Sequence, residues 1–247
     1  MKILSVFGGI ECGKVACEKA GIQIEAYYSS EVDKYAIEVT KRNHPEVVHL
    51  GDINNWKEWD IDWASIDLIM GGSPCQGFSV AGLQLNFDDE RSKLFFVFVD
   101  ILNHIRALNP NVKFLLENVK MKKEFEDIIT QNLGVEPVEI NSALVSAQSR
   151  KRLYWTDIAK IEQPQDKKIY LKDILESGFV DREKSLCVTA TYFKGGSLKE
   201  YFQKAKRQLV FEGPLQVGIA DIKGFDCIKR VYSELGKAPT LTTCGGA

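Results

Sequence analysis

Several short stretches of this chain carry residue types that can do chemistry. Cys75 lies in Gly71-Gly72-Ser73-Pro74-Cys75-Gln76-Gly77-Phe78-Ser79, directly after the apolar run Asp67–Met70. A free cysteine is usually a small buried hydrophobe, but that reading accounts poorly for the polar, glycine-rich loop around this one. Glu117-Asn118-Val119 repeats the arrangement, an acidic residue after Phe114-Leu115-Leu116. A thiol and a carboxyl at neighbouring strand ends suit nucleophilic catalysis with acid assistance. Gln148-Ser149-Arg150-Lys151-Arg152 precedes Leu153-Tyr154-Trp155. If this is a strand, Arg150 and Arg152 share a face, as an anion site requires; a solvated basic run is the alternative. Phe7-Gly8-Gly9-Ile10-Glu11-Cys12-Gly13 is a glycine-bearing turn that could bring backbone N–H groups to an anionic ligand or be only a tight turn. It lacks the G-x-G-x-x-G spacing. Glu31 follows the second apolar run, where a carboxylate can take ribose hydroxyls or simply face water.

These positions gain meaning from the elements that hold them. Lys2–Phe7, Glu25–Ser29, Asp67–Met70 and Val112–Leu116 read as buried strands. Between them, Gly13–Ala20, Asp33–Asn43 and Leu94–Leu108 read as amphipathic helices, the last capped by Ser92; Met121–Asn132 is a fourth that stops at Gly134. Strands alternating with helices predict an α/β, doubly wound, mostly parallel sheet, which binds ligands at the carboxyl ends of its strands. After about residue 156 the pattern breaks up. Ser185–Tyr192, Leu209–Phe211 and Ala238–Thr243 read as strands without long helices, predicting a smaller β-rich region.

Composition removes other classes. The chain has 247 residues, 45% hydrophobic and 27% charged, which excludes disordered and collagen-like chains. No apolar run approaches the ~20 residues of a membrane span. The six cysteines form no CxxC pair, and without a secretory signal they read as reduced thiols of a cytoplasmic protein with no metal ribbon. The net charge of -2 divides into -5 over residues 1–155 and +3 over 156–247, which permits a polyanionic partner for the second part.

Taken together and in order, these pieces resemble the C5-cytosine DNA methyltransferases, in the branch shared by phage enzymes and Dnmt3-type catalytic domains. The matching elements are Phe7-x-Gly9, Glu31-Val32, Gly51-Asp52-Ile53, Pro74-Cys75-Gln76, Arg91-Ser92-Lys93-Leu94-Phe95-Phe96, Glu117-Asn118-Val119 and Gln148-x-Arg150-x-Arg152. The resemblance implies a Rossmann-like domain over residues 1–155 that binds S-adenosyl-L-methionine. Phe7 would lie against the adenine, Gly9 beside the methionine moiety, Glu31 on the ribose, and Asp52 and Ile53 at the adenine edge. Ile10, Val32, Pro74 and Leu94 would complete the cofactor site. It further implies that Cys75 adds to C6 of a flipped cytosine, that Glu117 serves N3, and that Arg152 with Arg150 holds the base. The loop 77–93 would be the lid. Residues 156–247 would be a target-recognition region for double-stranded DNA, and the setting a phage or bacterial restriction-modification system.

Two departures stand out. The position of Gly8 is often acidic in the branch it resembles, and that of Glu11 is usually small. A carboxylate at Glu11 is expected either to repel the carboxylate of the cofactor and weaken its binding, or to point to solvent. The Arg- and Glu-rich helix, Gly-Asn segment and closing helix that follow the recognition region in the family are not found. A second polypeptide supplying them is therefore expected. Two other readings stand beside the DNA enzyme: a catalytically weak DNA-binding or regulatory relative, and an RNA cytosine-5 methyltransferase.

Overall fold

The computed structural model describes residues 1–74, 90–188, 201, 207–213, 216–224, 229–232 and 234, with backbone only at 90–92 and 217. They form two compact units: Met1–Ile140 with Lys151–Gln163, and Asn141–Arg150 with Pro164–Ala247.

The first unit carries the α/β pattern expected from the sequence. Its strands are β1 (Lys2–Val6), β2 (Ala26–Ser30), β3 (Val48–His49), β4 (Leu68–Gly71), β5 (Lys113–Asn118), β6 (Val138–Asn141) and β7 (Lys151–Thr156), in the sheet order β3-β2-β1-β4-β5-β7-β6. From β3 to β5 every pairing is parallel, while β7 runs antiparallel to β5. The helices are α1 (Cys12–Lys19), α2 (Lys34–Asn43), α3 (Glu90–Leu108) and α4 (Lys123–Leu133). Asp33 caps α2, its Oδ1 accepting from the N–H groups of Tyr35 and Ala36, and α4 stops at Gly134 with φ 74°. In contrast to the sequence expectation, α3 begins at Glu90, so Ser92 lies inside its first turn and is not its cap.

Alternation along the strands sorts side chains to two faces. Leu4, Val6, Ile69, Phe114 and Leu116 pack with Phe95, Phe98, Ile101, Leu102 and Ile105 of α3 and with Phe125 and Ile129 of α4. Trp155 is fully buried in the same core, and its Nε1 donates to Thr130 Oγ1 at 3.0 Å, fastening α4 to β7. The opposite face is thinner: Ile3, Tyr27, Leu68 and Met70 pack with Cys17 of α1 and Val47. No helix among the described residues is long and apolar enough to cross a membrane.

The second unit has a small core of Ala147, Leu171 and Val180. The Lys184 ammonium ties it together, donating to the carbonyls of Ala143, Ser146 and Ile169 at 2.7, 3.1 and 2.6 Å. β8 (Gln216–Ile219) and β9 (Arg230–Tyr232) pair antiparallel. Among the described residues, 185–188 and Leu209–Phe211 are not strands: Ser185 makes an isolated bridge to Gln148, and Phe211 one to Phe179. Residues 189–192 and the predicted strand Ala238–Thr243 lie outside the described residues.

Candidate active site

At the carboxyl ends of β1 and β2 the chain builds a turn with left-handed backbone. Phe7 and Glu11 hold left-handed backbone, φ 58° and 59°, and Gly9 does so at 58°. That conformation costs a non-glycine residue about 1–2 kcal/mol, so tertiary contacts must hold it. Phe7 N–H donates to Ser30 O at 2.9 Å, and its ring packs on the α3 side of the core. Around the position a Cβ of Gly9 would take, nothing lies within 4 Å, which leaves open space beside the turn. Glu31 accepts from the N–H groups of Gly9, Val32 and Asp33, each at 2.8 Å. Three backbone donors fix its carboxylate at the mouth of the turn, with lone pairs to spare for hydroxyl donors. Ile10 and Val32 are half and two-thirds exposed there.

The next turn is tied to β2. Ser30 Oγ donates to Gly51 O at 2.8 Å, and Leu50 N–H to Ser29 O at 2.8 Å. Asp52 accepts from the backbone and side-chain nitrogens of Asn54 at 2.9 and 2.8 Å, capping the 3₁₀ turn Ile53–Glu58. The Ile53 side chain is packed in the core at 4% exposure. Backbone, not side chain, is what Ile53 has to offer a ligand edge.

The third group lies where β4 and β5 end. Gly71 is required by crowding: a Cβ there would stand 2.8 Å from Val6 O. One at Gly72 would stand 3.2 Å from Glu117 Oε2, and the Glu117 side chain would have to give by a few tenths of an ångström. Asn118 is buried; its Nδ2 donates to Ser73 Oγ at 3.1 Å and Ser73 O at 3.3 Å, while its Oδ1 accepts from Val119 N–H at 2.8 Å. This clamp ties the end of β5 to the segment leading through Pro74. Arg152, on β7, places Nε 2.7 Å from Glu117 Oε1. The charges are in contact although the Nε–H does not line up for a hydrogen bond. Arg152 Nη1 donates instead to Lys151 O at 2.7 Å.

The sequence-predicted residues thus fall into groups. Gly9 is brought to Glu31, and Glu117 to Arg152. Leu94 packs, partly buried, against the α3-side core. Arg150 precedes β7, is exposed, and belongs to the second unit, where its N–H donates to Asn141 Oδ1 at 3.0 Å. Cys75 and residues 76–89 of the expected lid lie outside the described residues. Glu11 does not point to solvent, one of its two expected placements: it is 0% exposed, with Tyr27 and Ser29 hydroxyls donating to it. The Asn118–Ser73 clamp also escaped the sequence reading, which singled out only the neighbouring glutamate.

Replacing Asn118 by Ala removes the amide that pairs with two Ser73 oxygens and with Val119 N–H. We expect a loss of about 1–3 kcal/mol, seen in urea as a lower midpoint at unchanged slope. An unchanged midpoint would show that the clamp contributes nothing.

Residues 1–189 match the family described as C-5 cytosine-specific DNA methylase. The chain belongs to that family. Among relatives of this chain, the orphan methyltransferase M.Rho11sI of Bacillus phage rho11s is 26% identical over 340 residues, covering 99% of this chain and 67% of the relative. The type II methyltransferase M.NgoBV of Neisseria gonorrhoeae is 35% identical over 202 residues, covering 71% of this chain and 46% of the relative. M1.ScrFI of Lactococcus lactis subsp. cremoris is 36% identical over 164 residues, covering 62% and 40%. The chain therefore spans from two-fifths to two-thirds of the length of these relatives. The fold is shared with a crystallised triple mutant of Spodoptera frugiperda DNMT2, at TM-score 0.53 and 23% identity over 82% of this chain and 77% of that one. It is shared also with S. pombe Dnmt2, at 0.53 and 16% over 86% and 83%. At such identities the likeness concerns fold alone.

Proposed function

We propose that this methylase transfers a methyl group from S-adenosyl-L-methionine to C5 of a cytosine flipped out of double-stranded DNA, through a covalent bond from Cys75 to C6. The observation that carries the reading is the Glu117–Arg152 pair at the end of β5. It stands beside the Asn118–Ser73 clamp at the root of the segment that bears Cys75.

The turn after β1 fits such a cofactor: it has open space beside Gly9 and a carboxylate fixed by three amides. Phe7, Gly9, Ile10, Glu31, Val32, Asp52, Ile53, Pro74 and Leu94 would hold it. When bound, it supplies an electrophilic methyl group. Cytosine C5 is a poor nucleophile while the ring is aromatic. The Cys75 thiolate forms a bond to C6 and pushes the ring electrons toward C5. Glu117 donates a proton or hydrogen bond at N3 and so stabilises the charge that develops there. Arg152, held against Glu117, keeps that carboxyl oriented, and Arg150 adds positive charge near the base. After C5 is methylated, its proton leaves to a base, the S–C6 bond breaks, and the thiolate returns with the ring's aromaticity restored.

In this proposal the second unit recognises the DNA target, supported by the positive charge of the chain after residue 155. The part of the relatives that this chain does not span would complete the cofactor pocket. The test is transfer of labelled methyl to mixed-sequence duplex DNA and to tRNA, with and without a C-terminal fragment of a relative. Label in DNA supports the reading. Label in tRNA alone favours the RNA enzyme, and label in neither under all conditions favours a binding or regulatory relative.

A further inference from the structure

Beneath the Phe7–Cys12 turn, the thinner face of the sheet buries polar side chains where strands ordinarily bury apolar ones. Ser5, Tyr27 and Ser29 are at most 3% exposed, and Glu11 is fully buried among them. The Tyr27 hydroxyl donates to Glu11 Oε2 at 2.9 Å, and the Ser29 hydroxyl donates to Oε1. Neither donor is charged. The nearby buried ammonium of Lys14 is taken by Glu18 and Glu46. His49 is no counter-charge either, because burial and Lys41 lower its pKa from 6.5 and favour the neutral ring. A buried carboxylate held by neutral donors costs several kcal/mol, so its place calls for a reason.

Two observations supply one. A Cβ at Gly8 would stand 1.9 Å from Glu11 Oε1, 2.5 Å from Cδ and 2.6 Å from Oε2. The carboxylate therefore occupies the volume that any side chain at position 8 would need, and glycine there is its condition. Glu11 is also the N-cap of α1, has left-handed backbone, and makes no side-chain capping bond. Its anchoring to β2 holds a strained turn in place and sets a negative charge by the helix N-terminus, where the backbone dipoles favour it.

We propose that Glu11 is a positioning residue of the cofactor turn, whose buried charge makes the site prefer the sulfonium form of the cofactor to the uncharged thioether left after methyl transfer. This rests on the reading of the Phe7–Cys12 turn as part of the cofactor site. S-adenosylmethionine and S-adenosylhomocysteine are near-identical in shape and differ by one positive charge, so comparing them isolates the electrostatic part.

The test is calorimetric titration of the full chain with each ligand, for wild type, Glu11→Gln, Glu11→Ser, Gly8→Asp and the Gly8→Asp/Glu11→Ser double variant. Glu11→Gln keeps the shape and removes the charge. It should weaken S-adenosylmethionine about three- to tenfold more than S-adenosylhomocysteine. Gly8→Asp alone should weaken both by more than about tenfold through the clash, and the double variant, delivering a carboxylate to the same volume from position 8, should recover to within about threefold of wild type. The ratio of two affinities on one sample does not depend on the fraction folded, so a poorly folding variant cannot mimic the effect. Equal losses of both ligands in Glu11→Gln, or a double variant no better than Gly8→Asp, would overturn the role of Glu11 and leave the cofactor site standing. Binding of neither ligand by wild type would overturn both.

Discussion

Replacing Cys75 by Ala is expected to abolish methyl transfer, lowering the rate by about 10⁴-fold or more, as removal of a covalent nucleophile does elsewhere. Without the S–C6 bond, C5 stays part of an aromatic ring, and the methyl group has no competent acceptor. Duplex DNA carrying 5-fluorocytosine sharpens the test, because fluorine cannot leave as the C5 proton does and the adduct is trapped. Wild type should give a protein–DNA species stable to denaturation, with the modified peptide containing Cys75. The other thiols provide the contrast. Cys17 is buried, Cys12 is exposed on α1, and the half-buried Cys187 has its thiol turned to Ser149 O at 3.2 Å. A trapped adduct on any of these, or with a Cys75→Ser protein, would remove Cys75 from the mechanism.

The second large effect is expected at the Glu117–Arg152 pair. In the proposed mechanism Glu117→Gln removes the acid that would serve N3, and it replaces the carboxylate that Arg152 meets at 2.7 Å. The rate should fall by roughly 10²–10⁴-fold, while the affinity for S-adenosylmethionine changes by less than about twofold. Arg152→Lys keeps the charge but loses the planar guanidinium, so it should fall between wild type and Glu117→Gln. Because the two side chains share one contact, the double variant should lose much less than the product of the single losses. Purely multiplicative losses would mean that the contact has no part in the reaction. A fall in cofactor affinity as large as the fall in rate would assign Glu117 to cofactor binding.

Much of the fold that holds this site was legible in the sequence. The alternation of apolar runs with helix-period segments predicted the strands Lys2–Phe7, Glu25–Ser29, Asp67–Met70 and Val112–Leu116 to within a residue or two at their carboxyl ends, because backbone periodicity acts locally and registers in a few residues. The Gly134 stop was legible too, because glycine supplies the left-handed turn that ends a helix. Strand β3 and the 3₁₀ turns after it were not, since a two-residue strand leaves no period to read. The second unit resisted as well. Short runs such as Leu209–Phe211 look strand-like alone, and only the presence or absence of a neighbouring ladder decides whether they pair.

The sequence by itself determined the kind of sheet, the strand ends where chemistry can be presented, and the ordered motifs that mark a C5-cytosine methylase. What tertiary structure alone decided was which side chains meet. Arg152 reaches Glu117 because β7 runs antiparallel to β5, in a register that sets Tyr154 opposite Glu117. Asn118 clamps Ser73 because β4 and β5 are parallel neighbours that end together. Glu11, by residue type a surface group, is buried because a glycine at position 8 leaves it room and hydroxyls from β2 meet it there. Each of these contacts joins residues far apart in the chain or depends on space left by another residue. Local periodicity carries no information about such meetings, because they are settled by register and packing when the strands assemble.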